Sequence, residues 1–247
     1  MTLIAGIKLP RGILLVSDTR ETVDRADIVV SDSKRKIVFV TRGFLIASSG
    51  HSNTDHIANI LRSSLYNRAL NVGLTRDYVR NTTLSLFSKV NEIHQPNHPY
   101  GDPVGITIIG EYDQDNDDFN LLCTGGLAGF NEFHVLNTVK DLVLIGATAE
   151  IQQNVKARIT ALLDSLSQDF LHKPGLYKAI AEECQKYFQY ETKNYVGVGD
   201  RLYCTYLTEM NKTPAHDVYI LEKDGTRIPV DMLDSSDYFK ELDQTNS

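Results

Sequence analysis

The chain predicts an α+β protein folded as a four-layer αββα sandwich, with two sheets between two helix layers. Three observations lead there. Apolar runs of strand length fill the first fifty residues. Two long segments of helical period follow. The same succession, strands and then a helix pair, recurs before a last group of strands. A chain of 247 residues, 42% of them hydrophobic, can bury a sizeable core. No internal repeat or linker interrupts it, so residues 1–233 read as one domain and 234–247 as a polar tail.

Taken in order, Leu3–Ile7 and Gly12–Ser17 are the first strands, joined by a turn through Pro10 and Arg11. The loop Glu21–Lys34 is polar and lacks glycine, which predicts order imposed by packing. Lys36–Val40 is a strand, Arg42-Gly43 a turn, and Phe44–Gly50 the next strand. Asn53 or Thr54 caps a helix whose inner face carries Ile57, Ile60, Leu61 and Leu65. Thr75 caps a second, with Val79, Leu86, Val90 and Ile93 on one face. His94–Pro103 reads as a loop. Strands follow at Val104–Glu111 and Phe119–Thr124, then at Phe133–Leu136 and Leu142–Ile145. Thr148 opens a third helix through Ile151, Val155, Ile159, Leu162, Leu166 and Phe170. Pro174 starts a fourth, with Leu176, Ile180, Cys184 and Phe188 inward. Arg201–Thr208 and Asp217–Leu221 are late strands, and Asp224-Gly225 is a turn.

Composition excludes several functions. A net charge of −7 without a basic stripe argues against nucleic acid. No run of about 18 apolar residues is present to span a bilayer, and no basic n-region precedes an apolar h-region at the start. The three cysteines, Cys123, Cys184 and Cys204, are scattered and sit among apolar neighbours, as buried thiols do. These features predict a cytoplasmic protein that needs no cofactor. The acids Asp113, Asp115, Asp117 and Asp118 lack the glycine and distal glutamate of a calcium loop and read as a solvated hairpin tip. His51, His94 and His98 lie in unrelated local settings with no carboxylate or cysteine at ligand spacing, so no metal site is expected.

Chemistry concentrates at the N-terminus. Removal of Met1 would place a hydroxyl and a free amine on Thr2. A threonine hydroxyl needs a base to act as a nucleophile. An α-amine, with a reference pKa of about 7.7–8.0, supplies one near neutrality. A nearby ammonium favours the alkoxide and keeps the amine uncharged. A carboxylate must hold that ammonium, and a backbone N–H at a strand-to-helix corner can receive the oxyanion. Thr2, Lys36, Asp18 and Gly50 fill these roles in that order. Each alone has a plain structural explanation: a common second residue, a solvated lysine, a turn aspartate, a helix-entry glycine. The set carries the argument.

The segment Asp18-Thr19-Arg20-Glu21-Thr22, the strand Lys36-Ile37-Val38-Phe39-Val40 and the corner Ser49-Gly50 resemble the β-type subunits of the proteasome family of N-terminal-nucleophile hydrolases. That group includes the core proteasome and simpler bacterial relatives. The match is specific over the first fifty residues and architectural to about residue 210. Lys34 would preserve the usual loop length, but only Lys36 preserves both the strand pattern and the count to Gly50. The resemblance implies two antiparallel sheets, a threonine-type peptidase, and a homo-oligomeric ring or stack enclosing the sites. It also implies a peptide or unfolded-protein substrate and an ATP-dependent unfoldase as a partner. Thr22 would present its backbone to an extended substrate, and Ser48 would wall the pocket for the residue before the scissile bond.

Two departures stand out. Ala147 occupies the place of a family serine that positions the amine, with Thr148 one residue along. Lys193–Val198 lacks the acid and serine of a second family motif, and Asp200 is the nearest substitute. They keep two alternatives open: a catalytically inactive assembly subunit of the same fold, and an amide-transferring enzyme.

Overall fold

The computed structural model describes residues 2–22 and 28–230. The polar tail expected over 234–247 lies outside them. The strands of the first half are β1 (Leu3–Leu9), β2 (Gly12–Asp18), β3 (Glu21–Thr22), β4 (Val29–Ser31), β5 (Ile37–Thr41) and β6 (Phe44–Gly50). Helices α1 (Asn53–Val72) and α2 (Arg76–Asn97) follow. Next come β7 (Gly105–Asp113), β8 (Asp118–Gly125), β9 (His134–Leu136) and β10 (Leu142–Gly146). Helices α3 (Ala149–Ser165), α4 (Gln168–Leu171) and α5 (Leu176–Thr192) precede β11 (Leu202–Met210), β12 (Thr213–Leu221) and β13 (Arg227–Pro229).

The chain is mixed α+β, and its sheets are antiparallel throughout. One sheet has six strands in the order β10-β1-β2-β11-β12-β13, and another has five in the order β5-β6-β7-β8-β9. A two-stranded piece, β3-β4, stands apart. The apolar core falls into three clusters. One joins Ile4, Ile13, Leu15 and Tyr203 of the first sheet to Phe39, Leu45, Ile108 and Leu121 of the second. Another joins Leu3, Ala5, Leu14 and Val16 to Val155, Ile159, Ile180 and Phe188 of α3 and α5. The third joins Val38, Val40 and Ile46 to Ile57, Leu61, Val79 and Phe87 of α1 and α2. Alternate residues of β1 serve different clusters, as the period of a strand requires. Lys8 of β1 adds a polar tie between sheets, donating to the Phe119 carbonyl at 2.5 Å.

Several element details differ from the sequence reading. Ile60 and Ile93 are 53% and 69% exposed, and the inner faces of α1 and α2 instead carry Arg62 and Asn91. Helix α2 continues through His94 and Pro96 to Asn97, so the loop begins at His98. Helix α1 is entered through Ser52, whose side chain makes no cap bond. His51 dresses that end: its Nδ1 accepts from Asn53 N–H, and its carbonyl accepts from the Thr54 hydroxyl. Thr75 and Thr148 do cap α2 and α3, accepting from Tyr78 and Ile151 N–H. Leu163, not Leu162, is fully inward on α3, and Phe170 belongs to α4. The acidic tip is less solvated than expected: Asp113 is buried and paired with Arg76. β13, absent from the sequence reading, pairs with β12. The three thiols are free, two buried and Cys123 half-buried.

Candidate active site

β1 and β2 are a hairpin, and its register sets the site. Ile4 lies opposite Ser17, so Asp18 falls beside Leu3 and next to Thr2. The Asp18 carboxylate is fully buried. Its Oδ1 accepts from Leu3 N–H and from Lys36 Nζ, both at 2.9 Å. Its Oδ2 accepts from Arg20 N–H at 3.0 Å and Gly199 N–H at 3.2 Å. Four donors on two oxygens leave the carboxylate one orientation.

Lys36 enters from the residue before β5 and is itself buried. Its ammonium donates to Asp18 and to the Arg20 carbonyl, which commits two of its three hydrogens. Burial lowers its pKa below the ordinary lysine value, with the Asp18 charge opposing. Lys34, two residues earlier, goes elsewhere. It bridges Glu21 Oε1 at 2.5 Å and Asp55 Oδ2 at 2.8 Å. Burial alone would lower its pKa, and the two carboxylates raise it. Asp55 is pushed up by burial, with Lys34 opposing.

Thr2, Lys36 and Gly50 line one cleft of about 390 Å³, together with Thr22, Ser48 and Ser49. Lys34, Glu21, Asp55, His51 and His98 line it too, and Ala147 is its only apolar side chain among the described residues. The structure thus brings Thr2, Asp18, Lys36, Gly50, Thr22 and Ser48 to one place, Asp18 lying behind the lining. Two glycines make the corner. Gly50 has φ +141°, and a Cβ there would sit 2.5 Å from the Gly105 Cα. Gly146 has φ +86°, and a Cβ there would sit 1.7 Å from the Thr2 carbonyl oxygen. Only glycine permits these approaches. Ala147 follows at φ +49°, a left-handed conformation rare for a residue with a side chain.

Neither hydroxyl nor acid suggested for the amine is placed for it. Thr148 is exposed and engaged in capping α3. Asp200 pairs with Lys223 at 2.6 Å and does not line the cleft. Ser49, read in the sequence only as part of the Ser49-Gly50 corner, lines the cleft, and its Oγ lies 2.8 Å from where a Gly146 Cβ would be. Gly199 was missed, because a backbone N–H carries no residue-type signal.

The three histidines are not in unrelated settings. The ring centroids of His51 and His94 are 4.7 Å apart, those of His94 and His98 5.1 Å. His51 precedes α1 and the others end α2, and the helix hairpin brings those ends together. Among the described residues no group of three His, Cys, Asp or Glu is arranged to hold a metal ion. No described helix is long and apolar enough to cross a membrane.

Searches with this chain found no matching family model and no matching curated protein.

Proposed function

We propose that the chain, once freed of Met1, is a threonine-type amidohydrolase acting on peptides, of the proteasome β-subunit kind. Its three core clusters support a four-layer αββα arrangement, and by analogy it works within a self-assembled homo-oligomer. One observation carries the reading. A single buried carboxylate, Asp18, holds both the Lys36 ammonium and the N–H of Leu3, the residue bonded to Thr2. Nucleophile and ammonium are thereby fixed to one anchor at the head of a cleft.

In the proposed reaction the Thr2 α-amine takes the proton from Oγ1 as the oxygen attacks the carbonyl carbon. The Lys36 ammonium, kept charged by Asp18 against the lowering effect of burial, stabilises negative charge on Oγ1. The Gly50 N–H is assigned to the oxyanion. The amine proton then passes to the leaving nitrogen, the C–N bond breaks, and an ester on Thr2 remains. Water, deprotonated by the same amine, hydrolyses it and regenerates the hydroxyl.

A catalytically silent subunit is the second reading. It is favoured by Ala147, which lines the cleft without a hydroxyl, and by the commitment of Asp200 to Lys223. Intact mass before and after a threonine-directed epoxyketone separates the two. The first predicts loss of Met1 and one covalent adduct, absent from Thr2→Ala. Retained Met1 points to the second or to a proform awaiting processing, and a processed chain that takes no adduct in its assembled state establishes the second.

A further inference from the structure

The cleft holds more charge than the nucleophile requires. Glu21 and Asp55 share the single ammonium of Lys34, which contacts both. Lys36 gives its hydrogen bonds to Asp18 and the Arg20 carbonyl, and the Asp18 carboxylate offsets its charge. The Glu21–Lys34–Asp55 group therefore carries one negative charge in excess. Beside it Ser48, 3% exposed and lining the same cleft, has a buried Oγ with no hydrogen-bond partner. A buried hydroxyl without a partner is costly unless a ligand completes it.

Resting on the threonine-nucleophile reading for the step after binding, we infer that this cleft takes a cationic side chain, arginine ahead of lysine, from the substrate residue before the cleaved bond. A guanidinium brings five donors in a planar fork, enough for the two carboxylates and the Ser48 oxygen together. Its charge neutralises the excess. It also opposes the burial that pushes Asp55 up. The alternatives are worse on the same grounds. An acidic side chain adds a third carboxylate to a group that has one ammonium. An apolar side chain removes water from Glu21, Asp55 and Ser48 and returns no hydrogen bond.

The test uses four peptide epoxyketones that differ only in the residue next to the warhead: arginine, glutamine, norleucine and glutamate. The rate of adduct formation on Thr2 is followed by intact mass. Arginine should react about tenfold faster than glutamine or norleucine, the size of one charge-assisted hydrogen bond in a half-open site, and glutamate slowest. Glu21→Gln should bring the arginine-to-glutamine ratio close to one. Ser48→Ala should not lower the melting temperature, because no bond is lost in the free protein, and should slow the arginine probe about threefold. A faster glutamate or norleucine probe, or a ratio untouched by Glu21→Gln, overturns the inference. Thr2→Ala keeps the two claims apart, since it lacks the nucleophile and retains the pocket. Calorimetric binding of N-acetyl-arginine amide against N-acetyl-norleucine amide to that variant reads the pocket alone. No arginine preference there overturns the pocket assignment, whereas no adduct on the wild-type chain overturns the nucleophile.

Discussion

The Asp18–Lys36 pair should behave asymmetrically when each partner is removed. Asp18→Asn keeps the shape but leaves one oxygen for four donors. Whichever way the amide turns, its NH2 faces either Leu3 N–H and Lys36 or Arg20 and Gly199 N–H. It also strands a buried ammonium, and breaking a buried pair in this way costs about 3–5 kcal/mol. Lys36→Met removes the ammonium at nearly constant volume, while Asp18 keeps its three backbone donors. The expected loss is about 1–3 kcal/mol, that of a charged hydrogen bond. The double variant should be less damaged than the sum of the singles, with a coupling of about 2 kcal/mol. Urea unfolding of the four proteins at one concentration measures this, with epoxyketone labelling run in parallel. Labelling should fall at least about a hundredfold in both single variants, since each removes a group the proposed chemistry needs. Additivity within about 0.5 kcal/mol, or an Asp18→Asn protein as stable as the parent, would refute the claim that one carboxylate anchors both partners.

Acid should destabilise the fold through His216. Burial pushes its pKa down to about 4, its Nε2 bonds the Arg42 carbonyl at 2.5 Å, and its Nδ1 has no partner to meet a second proton. The unfolded histidine titrates near 6.5, so stability is complete above that pH and falls as pH drops toward 4. The loss is bounded at about 3 kcal/mol. His216→Phe should flatten that part of the stability–pH curve, and an unchanged slope would show that other groups carry it. Gly146→Ala should cost more than about 2 kcal/mol and abolish labelling, because the added methyl collides with the Thr2 carbonyl. Gly175→Ala, left-handed at φ +78° and ψ 2° with nothing within 4 Å, supplies the control for backbone strain alone, about 1 kcal/mol in a melting experiment. Equal losses at the two positions would remove the collision from the account.

The elements were legible because strands and helices differ in apolar period, and the cap residues Thr75 and Thr148 were legible because capping needs a particular side chain. The lysine that pairs with Asp18 was legible through the resemblance, whose strand pattern and count to Gly50 select Lys36, whereas Lys34 lies in the irregular loop before the strand. Residues identified by their partners were not legible. Gly199 offers Asp18 a backbone N–H from 181 positions away. The histidine cluster depends on how a helix hairpin closes.

The misread helix faces have the same origin as the unpartnered serine. Arg62 points inward because its guanidinium bonds the Phe39 carbonyl at 2.6 Å. Asn91 points inward because its amide spans the Gly126 carbonyl and Val104 N–H. Each satisfies backbone groups that the neighbouring strands and turns leave over, and each lies on the buried face while Ile60 and Ile93 lie off it. A hydropathy pattern scores the side chain and is blind to the partner, so it fails wherever a polar residue is buried for what it touches. Asp18 and Lys36 are buried on the same terms, each held by hydrogen bonds to protein groups. Ser48 is buried at their side with its oxygen bound to nothing. A polar group that the fold has enclosed without pairing is where a ligand has the most to add, which is why the cleft's specificity is sought at Ser48 and the adjoining carboxylates rather than at the anchor behind Thr2.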